Sequence, residues 1–317
     1  MNINRRDFLK VGLAGSAALI GSSTKALASE YFTGWPDRFG VLTDTTLCIG
    51  CRKCEVACNE AYKLPKPKVP FDDYSVFEKR RRTHAGAYTV VNRFENPKPG
   101  REPIYVKIQC MHCDEPACVS VCPVKAFTKT PEGAVIYNKG ICIGCRYCMI
   151  ACPFNIPAYQ YFNAFTPEVT KCPMCFDIRI EKGKIPACVE ACPMEALTFG
   201  KRSELIKLAR QKIMTQPNKY IDHIYGEHEV GGTSWLYLAE APFKPLGFRN
   251  DLGVKPYPEL TKGALGMVPL VIMLWPALLM GLHTFSKRRD RDSGTENTTS
   301  TRTQGEVVNH EEKEAMP

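Results

Sequence analysis

Residues 48–58 read Cys48-Ile49-Gly50-Cys51-Arg52-Lys53-Cys54-Glu55-Val56-Ala57-Cys58, and the spacing Cys-x2-Cys-x2-Cys-x3-Cys returns at Cys142, Cys145, Cys148 and Cys152. Two looser versions complete the set. Cys110, Cys113, Cys118 and Cys122 stretch one spacer to four residues, and Cys172, Cys175, Cys188 and Cys192 open a loop of twelve between the second and third members. The four groups use all 16 cysteines of the 317-residue chain. Pro123, Pro153 and Pro193 follow the last cysteine in three groups, and Asn59 follows Cys58.

Chemistry explains this spacing. Three thiolates within a short loop reach different irons of one cube only if the backbone wraps tightly, and Ile49-Gly50 and Ile143-Gly144 bring small residues to that wrap. In the bacterial ferredoxin run the first three cysteines hold one cubane, and the fourth, about one helical turn on, reaches the neighbouring cluster. Zinc asks for two Cys-x2–4-Cys pairs around one tetrahedral ion, unlike four runs in series with crowded triples. A disulfide framework suits the even count, but not neighbours placed to share a metal core. The expectation is four 4Fe-4S clusters bound by all sixteen cysteines.

The chain also carries addresses. Asn4-Arg5-Arg6-Asp7-Phe8-Leu9-Lys10 is a twin-arginine export signal, followed by an apolar run from Val11 to Ile20 and a cleavage site at Ala26-Leu27-Ala28. Export of a folded chain suits this cargo, because sixteen free thiols in an oxidising periplasm would pair at random. Gly263 to Phe285 is long and apolar enough to span a bilayer, and Lys287, Arg288, Arg289 and Arg291 follow it. The positive-inside rule puts that end in the cytoplasm. Pro269 and Pro276 are expected to kink the span, which membrane helices tolerate. His283 is the sole histidine there, so the chain alone offers no bis-histidine haem site.

The formal charge of +9 is not a nucleic-acid signal. Removing residues 1–28 takes away Arg5, Arg6, Lys10 and Lys25 against Asp7. Sixteen thiolates around four cores of charge +2 then add eight negative charges, leaving the mature, oxidised protein near −2. Arg52, Lys53 and Arg146, inside the motifs, are expected to offset cluster charge and raise potential. The basic run Lys79 to Arg82 reads equally as a docking patch or a solvated face.

The fold class read from this pattern is α+β: tandem or nested ferredoxin-like modules of two clusters each, with an insertion, plus one C-terminal transmembrane helix. The expected boundaries are a signal at 1–28, a body at 29–240, a linker at 241–262, the span at 263–285 and a disordered cytoplasmic tail at 286–317. The insertion, 59–107, begins with the Pro/Lys-rich Leu64-Pro65-Lys66-Pro67-Lys68 and then holds two strands, Ala87 to Phe94 and Ile104 to Gln109. Ala126 to Lys129 and Val135 to Tyr137 form a second pair around Pro131-Glu132-Gly133. Ala196 to Phe199 is a closing strand, and Ser203 caps an amphipathic helix to Met214 whose apolar side, with Leu205, Ile206, Leu208, Ala209 and Ile213, packs on the body.

These residues resemble the four-cluster ferredoxin-like subunits of bacterial respiratory oxidoreductases, which partner membrane-bound hydrogenases, formate dehydrogenases and molybdopterin reductases. Within that group the chain is similar to the iron–sulfur subunits of the high-molecular-weight cytochrome c transmembrane complex and of the hydrogenase-2 type. The likeness covers DTTLCIGCRKCEVACNE, CMHCDEPACVSVCPVKAFTK, CIGCRYCMIACPFNIPAYQY, ACVEACPMEALTFG and the cysteine-free YIDHIYGEHEVGGTSWLYL. The resemblance implies that outer motifs pair and inner motifs pair. One cluster would take Cys48, Cys51, Cys54 and Cys192, and the next Cys58, Cys172, Cys175 and Cys188. A third would take Cys110, Cys113, Cys118 and Cys152, and the fourth Cys122, Cys142, Cys145 and Cys148.

No Cys-x-x-Cys-His, Rossmann or P-loop run is present and no cysteine is spare, so no catalytic residue is assigned. The leading reading is a non-catalytic electron wire in the inner membrane, with its body in the periplasm. Its expected partners are a periplasmic hydrogenase, multihaem cytochrome c or molybdoenzyme, a membrane-integral quinone- or cytochrome-linked subunit, and the lipid bilayer, with no nucleic acid. The alternative is a membrane tether whose clusters mainly stabilise the fold. A redox or metal sensor fits the fully used cysteine set poorly.

Overall fold

The computed structural model describes residues 37–163 and 167–294. The export signal expected at 1–28 lies outside the described residues, as does the tail from 295. In chain order the strands are β1 (Phe39–Asp44), β2 (Val90–Phe94), β3 (Ile104–Ile108), β4 (Phe127–Lys129), β5 (Val135–Tyr137), β6 (Ala158–Tyr159), β7 (Val169–Thr170), β8 (Leu197–Lys201) and β9 (Trp235–Leu238). The α-helices are α1 (Lys53–Ala61), α2 (Ala117–Ser120), α3 (Tyr147–Ala151), α4 (Ala187–Glu190), α5 (Arg202–Thr215) and α6 (Tyr257–Gly294).

The body is organised around β1. It is the middle strand of a three-stranded sheet ordered β8-β1-β9, antiparallel to β8 and parallel to β9. Both faces of this sheet are covered, so β1 lacks the apolar–polar alternation of a half-exposed strand, and even Thr43 and Asp44 are buried. Successive side chains still point to opposite faces. Val41, Trp235 and Tyr237 enter one core together with Met111, Ile104 and Val106 from the β3 region and with Cys188. Leu42, Leu236 and Leu238 enter the other, where Leu205, Ala209 and Ile213 of α5 cover them. The first core therefore lies on the cysteine side of the sheet, and the second is closed by a helix.

Around the sheet stand three antiparallel hairpins, β2–β3, β4–β5 and β6–β7. The first two and the closing strand β8 fall where the sequence pattern predicts them. The Pro131-Glu132-Gly133 turn closes with Gly133 at φ 99° and a Thr130 N–H bond to the Ala134 carbonyl. Helix α5 also matches, but Ser203 is not its cap. The cap position is Lys201, with no side-chain cap bond. The helix runs straight out of β8, and the Arg202 N–H is already satisfied by the Arg38 carbonyl, 2.9 Å away.

Packing of the body does not stop at 240. Ala241, Phe243 and Leu246 are buried in the cysteine-side core, and Phe243 stacks among Tyr225, Phe248 and His223. The stretch read as a linker thus begins as core. The pattern misled because Pro242, Pro245 and Gly247 alternate with the buried residues and mimic a flexible joint. The chain divides into two compact units at Leu260, and the described part of the second is the continuation of α6. That helix starts at Tyr257, inside the expected linker, and continues through Pro269 and Pro276. Over Tyr257–Arg288 it is long and apolar enough to cross a membrane.

Phe243→Ala should lower stability by about 3 kcal/mol, the usual cost of emptying a buried phenylalanine site. Val254→Ala, at a position 69% exposed, should leave it unchanged. Denaturant midpoints of the cluster-loaded protein, measured anaerobically, check the pair. Equal midpoints would show that the body ends before residue 241.

Candidate metal centres

Each motif begins with the same backbone turn. The residue before the second cysteine is left-handed in all four: Gly50 (φ 71°), His112 (φ 50°), Gly144 (φ 70°) and Met174 (φ 61°). This turn aims amide donors at sulfur. Gly50 N–H donates to Cys48 Sγ, Gly144 N–H to Cys142 Sγ at 3.5 Å, and Met174 N–H to Cys172 Sγ at 3.4 Å. Glycine suits two of these positions because φ is positive, and at Gly50 a Cβ would also collide with the Tyr105 ring at 2.4 Å. A second left-handed residue follows the last cysteine of three motifs, at Lys125, Asn155 and Glu195. Each donates its N–H back to the cysteine carbonyl, at 3.2, 3.1 and 3.3 Å, and so closes the Cys-Pro turn.

Strand pairing then joins motifs end to end. In β4–β5, Phe127 faces Tyr137, so Cys122 and Cys142 emerge at the same end of the hairpin, each five residues from the paired position. In β8–β1, Leu197 faces Thr43, and Cys192 and Cys48 stand at the same five-residue offsets. One construction thus serves neighbouring motifs and motifs at opposite ends of the body.

Three cavities result, each lined by four cysteines: Cys48, Cys51, Cys54 and Cys192; Cys58, Cys172, Cys175 and Cys188; Cys110, Cys113, Cys118 and Cys152. The remaining four also gather, since burial, then Cys142, Cys145 and Cys122, push the Cys148 thiol up to about 11. None of the sixteen is joined in a disulfide. Among the described residues no three His, Cys, Asp or Glu side chains converge closely enough for a single metal ion. The thiols surround a volume instead, as a cubane requires and a zinc ion does not. Burial raises Cys54, Cys58, Cys113 and Cys118 well above an ordinary thiol, and neighbouring cysteines add to the rise. Thiolates so placed need compensating positive charge, which the iron of a cluster supplies.

Comparison with known proteins agrees with this chemistry. Two models described as a 4Fe-4S dicluster domain match residues 47–126 and 102–202. The hydrogenase-2 operon protein HybA of Escherichia coli O157:H7 is 34% identical over 325 residues, covering 91% of this chain and 98% of the relative. The chain belongs to the iron–sulfur subunits of bacterial respiratory oxidoreductases. A protein of Nitratidesulfovibrio vulgaris (strain Hildenborough) is 52% identical over 297 residues, 93% of this chain and 80% of the relative. The iron–sulfur subunit of the nitrate-inducible formate dehydrogenase of Escherichia coli (strain K12) is 35% identical over 231 residues, 71% and 76% respectively. Like the family, the chain carries four 4Fe-4S clusters.

In this iron–sulfur subunit the motifs supply only part of the positive charge beside the clusters: Arg52 lines the cavity of Cys48, Cys51, Cys54 and Cys192. Arg52 is buried, but its guanidinium is held by Glu55 and by the carbonyls of Pro70, Phe71 and Asp73. Arg146 is exposed and lies over the Tyr159 and Tyr161 rings. The cation that lines both outer cavities is Lys107, 2% exposed. Its ammonium donates to Gln109 Oε1 at 2.9 Å and sits 4.4 Å over the Trp235 ring. Burial works to lower its pKa, but Cys188, Cys54, Cys172 and Cys58 outweigh burial and raise it. Lys171 does the same for an inner cavity: it lines the one holding Cys110 and Cys118 and draws the Cys118 pKa down. Sequence reasoning missed both: Lys107 lies in the strand Ile104–Ile108, where a lysine reads as solvent-facing, and Lys171 stands just outside the fourth motif.

Lys107→Met should lower the reduction potentials of the two outer clusters by about 100 mV, the order expected when a unit charge a few ångströms away is removed at an effective dielectric of about 20. The two inner clusters should hardly move. Redox titration followed by electron paramagnetic resonance separates the outcomes, and an equal shift in all four would show that Lys107 has no special place.

Proposed function

We propose that this chain is the electron-transfer subunit of a membrane-bound respiratory complex, relaying single electrons between a periplasmic redox partner and a membrane quinone- or cytochrome-linked module. The observation that carries the relay is the order in which the cysteine sets lie near enough to influence one another. Cys188 acts on Cys54, which links the set of Cys48, Cys51, Cys54 and Cys192 to that of Cys58, Cys172, Cys175 and Cys188. Cys110 acts on Cys172, and Cys148 on Cys118, so the sets follow one another in a single file. A file of sites suits a wire; a tether whose clusters only held the fold would need no such order. The last set is nearest to solvent, with Cys145 the sole exposed cysteine of the sixteen.

In the same reading the outer motifs pair and the inner motifs pair, two dicluster modules nest one within the other, and 59–107 is inserted between the first two motifs; the cysteine linings of the three cavities support this pairing. Names of relatives support the setting. One is a hydrogenase-2 operon protein, another the iron–sulfur subunit of a formate dehydrogenase, and another a component of an anaerobic dimethyl sulfoxide reductase. By this reading the partner is of that kind, the twin-arginine signal exports the folded body, and Gly263 to Phe285 anchors it with the Lys287 side in the cytoplasm.

Cys58→Ser should alter the cluster bound by Cys172, Cys175 and Cys188, although these lie far along the chain, and should slow electron flow through the complex. Iron counts and spectra of the anaerobically purified variant identify the altered cluster. If the change falls instead on the set of Cys142, Cys145 and Cys148, the pairing is wrong. If that cluster is lost while turnover stays normal, the wire is wrong.

Replacing Arg5 and Arg6 together by Lys should leave the precursor in the cytoplasm with its iron and sulfide intact, as expected for an export route that carries folded cargo. Cell fractionation with iron analysis reads this. Unchanged periplasmic delivery would remove the twin-arginine route.

A further inference from the structure

Two sequence features have no part in cluster binding: the basic run ending at Arg82, and the cysteine-free stretch that contains Tyr225 and Tyr237. They meet in one place. A cleft of about 800 Å³ is lined by Arg80, Arg81, Arg82 and Arg249, with Tyr225, Tyr237, Phe154 and Phe248 among its walls. Cys152 also lines it, so the cleft reaches a cysteine of an inner set. Six of its nineteen lining residues, from Tyr225 to Arg249, lie beyond the dicluster matches at 47–126 and 102–202.

The charges of this cleft are unevenly satisfied. Arg81 is bound by Glu55, and Arg249 by Asp251. Arg80 and Arg82, both exposed, donate instead to the carbonyls of Gly247, at 2.6 Å, and Pro157, at 3.0 Å. Two guanidinium groups thus face the opening fixed in direction by backbone oxygens, and among the described residues neither is paired with a carboxylate. Their remaining N–H forks suit carboxylates, which guanidinium binds in bidentate fashion. The walls are aromatic and apolar, and a free inorganic anion would leave them wet. The volume is that of a site holding several side chains.

We infer that this cleft docks a segment of a partner polypeptide that carries carboxylates for Arg80 and Arg82 together with an apolar or aromatic side chain for the wall beneath. The proposal rests on the reading of this chain as a subunit of a larger complex. Arginine-rich rims with aromatic floors are the usual makings of a strong protein contact, and rim charges set association rate and salt dependence. The segment would be held against the Cys152 turn, where backbone N–H groups of Ile156, Phe154 and Asn155 support the sulfur.

The test uses the full chain with its clusters, isolated anaerobically in detergent from its native membrane. Three forms are compared: wild type, Arg80→Lys with Arg82→Lys, and Arg80→Glu with Arg82→Glu. The lysine-substituted form keeps the charge and supplies amines that a zero-length carbodiimide joins to carboxylates. Its cross-links are expected to map from position 80 or 82 to Asp or Glu of a different polypeptide. The glutamate-substituted form should retain that polypeptide about tenfold less or worse, with iron content and spectra unchanged. Cross-links confined to the chain itself, or undiminished retention by the glutamate form, would overturn the cleft while leaving the subunit reading intact. If wild type comes off the membrane with no partner at all, the subunit reading fails and the cleft proposal fails with it. Should the glutamate form lose its clusters, the cross-link map of the lysine form decides alone. A small molecule found in the cleft by native mass spectrometry, with no polypeptide cross-link, would also overturn it.

Discussion

Sixteen thiols are held in a body of barely more than two hundred residues, and all but Cys145 are at least partly buried. Burial penalises each thiolate and every neighbour repels it, which is why Cys48 is pushed up to about 11 and Cys172 to about 12 even where amide donors and Lys107 pull the other way. Buried charge without compensation is among the costliest things a protein can contain. Iron supplies most of that compensation, so metal stands where a hydrophobic core would otherwise be, and binding is coupled to folding. The apolar residues are arranged around this fact. One core lies between the β8-β1-β9 sheet and the cysteines, and the other lies behind the sheet under α5.

A single local device is used twice to solve the geometry. A strand pair holds the last cysteine of one motif level with the first cysteine of another: Cys122 with Cys142 through β4–β5, and Cys192 with Cys48 through β8–β1. In the first case the strands are joined by a tight turn; in the second, almost the whole body lies between them. The long-range pair is the weaker construction entropically, because closing a long loop costs more than closing a short one. It is also the better reinforced. β9 adds a parallel neighbour to β1, Trp235 Nε1–H donates to Thr43 Oγ1 at 2.8 Å, and the Tyr237 hydroxyl donates to the Lys107 carbonyl at 2.7 Å. The strand that completes the sheet therefore also fixes the lysine facing both outer cavities.

What the sequence makes legible follows the same division. Cysteine spacing is a local property and made the motifs legible, as the Pro131-Glu132-Gly133 turn between β-prone runs did for the β4–β5 hairpin. Helix α5 was legible because Leu205, Ala209 and Ile213 recur at helical spacing. β1 was not, because a strand covered on both faces shows no alternation. The parallel partner of β1 lies so far along the chain that no local pattern announces it. Arg52 and Lys107 show the limit for charge. Lys107, outside any motif, lines both outer cavities, whereas Arg52, within a motif, lines one of them and is committed to Glu55.

That commitment explains how the insertion becomes part of the body. Glu55 leaves α1 and takes Arg52, Arg81 and the Val91 N–H at once, while Arg52 gathers the carbonyls of Pro70, Phe71 and Asp73. A buried ion pair gains little net stability when its desolvation is counted, so this network is better understood as specifying position than as adding strength. It fixes position because nearly every donor and acceptor in it is used. A segment rich in Pro and Lys, with no regular structure of its own at 64–69, is thereby tied to the helix that carries Cys54 and Cys58. Arg80 and Arg82 flank Arg81, so the network that satisfies a buried carboxylate also anchors the backbone between two exposed guanidinium groups. Within the run Lys79 to Arg82, Arg81 is thus structural, while Arg80 and Arg82 are held by the carbonyls of Gly247 and Pro157.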